Sequence, residues 1–228
     1  MAEFSSPNFD ERPGGAPIDM LVIHYTGMPT AQDALERMCD ADARVSAHYM
    51  IDEDGAVHAL VPEGMRAWHA GVSSWRGHTD INARSIGIEL VNPGHEFGYR
   101  PFSEAQMLAL IELAGEILIR HPIQSRNVVG HSDIAPSRKT DPGELFDWKR
   151  LAAEGIGLWP DDEASFGADP DEIPVMLREF GYDTSDFAVA LVAFRRRYLA
   201  DQPGPPPLRE VARRLGVLLS TAEVSDRT

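Results

Sequence analysis

The chain is poor in cysteine: of its 228 residues only Cys39 carries a thiol. An intramolecular disulfide is therefore impossible and no oxidising compartment is demanded. Within the helical pattern Ala31 to Ala41 that thiol reads as a small buried side chain. Positive charge is scarce too. Lysine and arginine number 21 against 36 acidic residues, a formal net charge of −15, which argues against nucleic acid or an anionic membrane surface as the main partner. No run approaches the roughly 18 apolar residues of a membrane span, and Met1 to Asp10 shows no positive region followed by an apolar stretch. From these absences we expect a cytoplasmic protein with no membrane partner, its oligomeric state open with a monomer favoured; a periplasmic location would require a leader removed beforehand.

What is present supports a real core, since 43% of the residues are hydrophobic. The length suggests one domain of about 150 residues with a small appendage. Strand-like runs at Met20 to His24, Ala47 to Ile51, Val57 to Val61 and Ile86 to Val91 alternate with helical patterns, and Asp52-Glu53-Asp54-Gly55 reads as a hairpin turn. The clearest helix spans Glu104 to Arg120, opened by a capping box of Ser103 and Gln106, with Met107, Leu108, Ile111, Ala114 and Leu118 as its apolar face. Asn127 to Val129 is a short strand, and Asp147 caps a helix ending near Gly155. The fold class is α/β, or α+β by some criteria: a mixed central sheet flanked by helices, because a hairpin excludes a purely parallel sheet. Residues 1–160 form the main domain and 161–172 an acidic linker. Three helical patterns at 173–220 (Ile173 to Phe180, Asp186 to Leu199, Leu208 to Leu219) form a small three-helix module, and 221–228 a tail.

Chemistry concentrates in Val129 to Gly143, where His131, Lys139 and Asp141 share one loop, and in Val22-Ile23-His24-Tyr25-Thr26, where a histidine ends a buried-strand pattern. Strand ends fix the histidines and the loop gives Asp141 reach. Two neutral imidazoles and a carboxylate are the three-ligand set of a catalytic Zn2+ with an open fourth position, able to lower the pKa of a water toward ~7. One such histidine alone would read as structural; the set reads as a metal site. Glu89 lies inside an otherwise apolar strand pattern, where a carboxylate is suited to proton transfer.

Together with Val45-Ser46-Ala47-His48-Tyr49-Met50-Ile51-Asp52, and with Trp68-His69-Ala70-Gly71-Val72-Ser73-Ser74-Trp75-Arg76-Gly77 running on to Ser85-Ile86-Gly87-Ile88-Glu89-Leu90, these segments resemble the zinc-dependent N-acetylmuramoyl-L-alanine amidases. That family includes anhydro-muropeptide amidases, phage-type amidases and peptidoglycan recognition proteins. The resemblance covers roughly residues 18 to 150, in the family's order. It implies a mixed sheet flanked by helices, Zn2+ on His24, His131 and Asp141, Glu89 as the general base and Lys139 as the oxyanion stabiliser. The activity implied is hydrolysis of the amide between the lactyl group of N-acetylmuramic acid, 1,6-anhydro forms included, and L-Ala of the stem peptide during peptidoglycan recycling. Tyr25, His69, Trp75 and Arg76 are candidate contacts for a muropeptide or peptidoglycan substrate; for the tryptophans plain packing is at least as good a reading. Leu177 to Tyr182 with Ala193 to Tyr198 is similar to a peptidoglycan-binding three-helix module, against which stands a simple helical cap. The alternatives are an amidase acting on intact wall, a non-catalytic peptidoglycan receptor on the same fold, and a metal-dependent nuclease. Retention of the three ligands disfavours the receptor and the charge of −15 disfavours the nuclease.

Overall fold

The computed structural model describes residues 4–167, 169–200, 204 and 206–225. They fall into two compact units, Met1–Val72 with Asp80–Ile123, and Ser73–Thr79 with Gln124–Thr228. Packing thus divides the chain at Ile123, not at the compositional shift near residue 160.

The first unit carries β1 (Phe9–Glu11), β2 (Met20–Tyr25), α1 (Ala31–Cys39), β3 (Tyr49–Ile51), β4 (Val57–Ala59), β5 (Met65–Ala67), α2 (Ile81–Arg84), β6 (Ser85–Leu90), α3 (Gly94–Phe97) and α4 (Glu104–Arg120). The strands it contributes to the main sheet lie in the order β4-β3-β6-β2. β2 and β3 both run parallel to β6, whereas β3 and β4 form an antiparallel hairpin, so the sheet is mixed as expected. The turn works because Gly55 takes φ 87°, its N–H donating to the Asp52 carbonyl at 2.9 Å. β1 and β5 form a separate two-stranded antiparallel ribbon.

Helix α1 starts at Thr30, whose hydroxyl accepts from the Asp33 N–H, and its buried Ala34, Leu35 and Met38 pack with Ala47, Met50, Leu60 and Val91. Cys39 is half-buried, and burial pushes its thiol pKa up. Helix α4 has the expected limits and both halves of the expected capping box. Its buried face differs, being Gln106, Met107, Leu110, Leu113, Ala114 and Ile117, while Leu108 is 55% exposed. The helix is apolar around most of its girth, so sequence spacing could not orient it; Gln106 does, its Nε2 donating to the carbonyls of Ile51 and Val91 at 3.2 and 2.8 Å. None of the described helices is long and apolar enough to cross a membrane.

The second unit carries β7 (Val128–Gly130), α5 (His131–Ile134), α6 (Trp148–Ala153), α7 (Ile173–Phe180), α8 (Phe187–Tyr198) and α9 (Leu208–Ser225). Helix α9 runs past the expected stop at Leu219, because Ala222, four residues beyond the buried Leu218, continues the apolar stripe. The last three helices are not a separate module. Phe180, Tyr182, Phe194 and Tyr198 form one aromatic cluster with Trp75. Arg197 of α8, 4% exposed, donates to Asp133 Oδ2 at 2.6 Å and to the Val128 carbonyl at 2.9 Å. Tyr182 donates to Asp133 Oδ1 at 2.6 Å, the Gly130 N–H donates to Oδ2 at 2.8 Å, and Trp148 lies 3.9 Å from the Arg197 guanidinium carbon. A buried carboxylate is tolerable only with such partners.

Arg197→Met removes the cation and leaves that carboxylate buried, which costs about 3–5 kcal/mol for a broken buried pair. Thermal unfolding should show a drop of roughly 6–20 °C at this chain length; an unchanged Tm would show that the pair carries no net stability.

Acid should destabilise the first unit in two steps. Burial holds His48 at a pKa of about 4 against the usual 6.5, so the unfolded chain takes up a proton that the folded one refuses, and stability falls as pH drops through that window. Burial would raise the Glu63 carboxyl, but hydrogen bonds from Arg120, His121 and Tyr49 outweigh it and hold the pKa at about 2 against 4.5. That stabilisation is complete above pH 4.5 and is lost as pH falls toward 2. Melting curves from pH 8 to 3 should therefore decline below 6.5, and Glu63→Gln should flatten only the segment below about 4.5.

Candidate active site

Strand β2 is a run of apolar residues ending in His24, which is 1% exposed. In the parallel pairing Met20, Val22 and His24 stand beside Ser85, Gly87 and Glu89, so His24 and Glu89 are register partners on one face. Glu89 is half-buried and lines a small cavity of about 60 Å³ with Thr26, Met28, Ala34, Arg37, Met38 and Val45. Its access to that space, at the end of a strand buried at Ser85 to Ile88, is what a proton-transfer group requires.

The same face holds His69 rigidly. Its ring is 6% exposed, with Nδ1 3.0 Å from His24 Nε2 and Nε2 3.2 Å from Ser85 Oγ. The Ser85 hydroxyl hydrogen goes to the Ile81 carbonyl at 2.7 Å, and Asn82 Oδ1 accepts from the backbone N–H groups of His69 and Ala70. Gly87 makes room: a Cβ there would stand 2.5 Å from His69 Cγ. His48, fully buried beside it, accepts from the Gly87 N–H at Nδ1 and is structural.

In the second unit, His131 and Asp141 are 3% and 5% exposed, and His131 Nδ1 lies 3.1 Å from Asp141 Oδ2. The Ser132 N–H to Asp141 carbonyl bond of 2.8 Å closes the loop between them. Gly130 permits the close return of the chain, since a Cβ there would meet Pro142 at 2.7 Å. Lys139 sits half-buried on the stretch joining α5 to Asp141, its N–H bonded to the Ala135 carbonyl. A nitrogen and an oxygen each about 2.1 Å from a tetrahedral zinc are separated by about 3.4 Å, so this pair is close to the spacing of two zinc donors.

The sequence profile of the N-acetylmuramoyl-L-alanine amidases matches residues 14–144. The chain belongs to this family. It is 46% identical over 157 residues to the N-acetylmuramoyl-L-alanine amidase AmiD of Escherichia coli, a match covering 63% of this chain and 55% of AmiD, little more than half the length of that relative. To the 1,6-anhydro-N-acetylmuramyl-L-alanine amidase AmpD of Haemophilus influenzae it is 39% identical over 166 residues, 65% of this chain and 88% of AmpD. Its fold is similar to that of E. coli AmiD solved with the substrate anhydro-N-acetylmuramic acid-L-Ala-D-gamma-Glu-L-Lys, with a TM-score of 0.78 and 34% identity over 97% of this chain and 92% of that one.

Two of the expected substrate contacts, Trp75 and Arg76, are engaged within the second unit. Trp75 is 1% exposed, its ring packed edge-on against Phe180 and Tyr182 and over Gly181, where a Cβ would come within 2.7 Å of it. Arg76 takes φ 51°, its N–H donates to the Gly181 carbonyl, and its guanidinium donates to Gln124 Oε1 at 3.0 Å. The Gly-rich loop looked like a binding loop because it is polar and glycine-rich, but it serves as a packing strap of the second unit. The ring of His69 is enclosed as well, with both nitrogens engaged. Tyr25 is half-buried, its hydroxyl 2.9 Å from His95 Nδ1 and its ring near Tyr99. Ser85, Gly87 and Asp133 escaped the sequence reading. Gly87 had a faint signal as a lone glycine in a strand, which marks close approach by another group.

Gly87→Ala should therefore cost about 1–3 kcal/mol by overpacking against His69. Chemical denaturation compared with Gly64→Ala, where the new Cβ would meet nothing within 4 Å, isolates the effect; equal stability of the two variants would refute the clash.

Proposed function

We propose that the protein hydrolyses the amide between the lactyl group of N-acetylmuramic acid and L-Ala of the stem peptide, with anhydro-muropeptides of peptidoglycan recycling as its substrates. The observation that carries the reading is the retained donor set. His24, His131 and Asp141 are buried and each offers one ligand atom, and the His131–Asp141 spacing fits zinc. These three residues would hold a zinc ion, which would supply Lewis acidity to the scissile carbonyl and its water. Glu89 takes the proton of the attacking water and passes it to the leaving amine. Lys139 places an ammonium against the developing oxyanion, and Tyr25 with His95 offers an aromatic edge for the sugar or peptide. Tyr182 after α7 and Arg197 of α8 hold the loop of His131 and Asp141 through Asp133, which supports the cap over a recruiting module. The reading places the reaction in the cytoplasm, among soluble fragments. Cell fractionation tests that part, and an exported protein would turn the substrate toward intact wall.

Digestion of purified anhydro-muropeptides, followed by mass spectrometry, should release peptide with an L-Ala amino terminus. Exhaustive chelation should abolish this and added zinc restore it. Glu89→Gln should retain zinc and lower kcat by ~10² to 10⁴, and Lys139→Ala by ~10² to 10³. Binding of muropeptide with no turnover by the zinc-loaded wild type would instead support a receptor.

A further inference from the structure

We propose that His69 is a positioning residue for the metal site, accepting at Nδ1 the proton on His24 Nε2 and so presenting His24 Nδ1 as the coordinating atom. The inference rests on the zinc reading above and goes beyond it, because it assigns the tautomer of a ligand.

The assignment follows from one hydrogen. The Ser85 hydroxyl has a single proton, and the Ile81 carbonyl takes it at 2.7 Å. Ser85 Oγ can then only accept from His69 Nε2, 3.2 Å away, so His69 carries its proton on Nε2 and a lone pair on Nδ1. That lone pair faces His24 Nε2 at 3.0 Å, which must supply the hydrogen. A neutral imidazole protonated at Nε2 keeps its lone pair at Nδ1, and that is the atom left to bind a cation.

The surroundings keep the chain of bonds in place. His69 cannot swing away on one side because its ring lies against Gly87, where even a Cβ would not fit. Its backbone is tied by Asn82 Oδ1. The rings of His24 and His69 meet at 81°, an edge-on geometry that aims one nitrogen at the other. Arg12 fixes the strand that bears the relay, donating to the Ser85 carbonyl at 2.8 Å and to those of Asn82 and Ala83 at 3.1 and 2.9 Å. Partners of this kind hold a ligand's orientation and basicity, and their loss typically weakens metal binding about 10- to 100-fold.

The test uses the full chain. Zinc affinity is measured by competition with a chromophoric chelator for the wild type, His69→Phe, His69→Asn and Ser85→Ala. His69→Phe keeps the ring and removes the acceptor; His69→Asn returns an acceptor oxygen near the Nδ1 position. Ring 15N chemical shifts of the zinc-free wild type report the tautomer of His24 directly, a readout that a purely space-filling role would not move. Expected are the Nε2–H form of His24, zinc binding weakened about 10- to 100-fold in His69→Phe, recovery of most of that in His69→Asn, and a smaller loss in Ser85→Ala. Wild-type affinity in His69→Phe, or a wild-type His24 protonated at Nδ1, would overturn the inference. If the wild type itself failed to bind zinc, the metal reading would fall and this inference with it, whereas tight binding by both wild type and His69→Phe would remove this inference alone.

Discussion

The parallel pairing of β2 with β6 is the constraint from which the first unit's chemistry follows. Its register sets Met20, Val22 and His24 beside Ser85, Gly87 and Glu89. A slip of one residue would turn His24 to the opposite face and bring Ile86 or Ile88 where Gly87 now stands. Gly87 leaves the room that His69 fills, and Ser85 supplies the oxygen that His69 needs. Three alternate positions of one strand thus perform separate tasks: orienting a histidine, accommodating it, and presenting a carboxylate to a cavity. None of them could be exchanged with its neighbour in sequence, because the pleat sends the neighbour to the other side of the sheet.

In the second unit the problem is different, for His131 and Asp141 lie ten residues apart on a loop rather than on a strand. A loop of that length does not hold two donors 3.1 Å apart without internal ties. The ties are the Ser132 to Asp141 backbone bond, the close passage of Pro142 over Gly130, and above all Asp133, which joins the loop's N-terminal side to Tyr182 and Arg197. Rigid support of this kind is what lets a site keep its geometry before any ligand arrives.

Much of this was legible in the sequence, and the reasons for the rest are physical. Helix α4 could be read to its end residues because a capping box and a helical apolar pattern agree there. His24, His131, Asp141 and Glu89 could be singled out because histidines and carboxylates at strand ends and in a short motif are chemically informative types, whereas Lys139 stood out through the resemblance to the amidases. The ribbon of β1 and β5 and the four-residue helices α2, α3 and α5 could not, since three or four residues contain barely one period of any pattern. Trp75 and Arg76 looked like binding residues because a tryptophan in a glycine-rich loop has the same local sequence whether it stacks on a ligand or on Gly181, more than a hundred residues away. Of the three consecutive arginines Arg195, Arg196 and Arg197, only Arg197 is fully buried. Nothing in the triplet itself distinguishes it; the partner that does is Asp133.

That partnership limits how the C-terminal helices can be gained or lost. A chain ending before α7 would leave the Asp133 carboxylate without its tyrosine and its guanidinium, and the loop it anchors without those ties. A clean cut at the compositional shift therefore strips the loop of His131 and Asp141 of two of its ties, a loss that a residue at 133 content with the Gly130 N–H alone would not feel. Helices and aspartate are bound to travel together, and an exchange of C-terminal segments between relatives would succeed only where the recipient already carries the matching half of the pair.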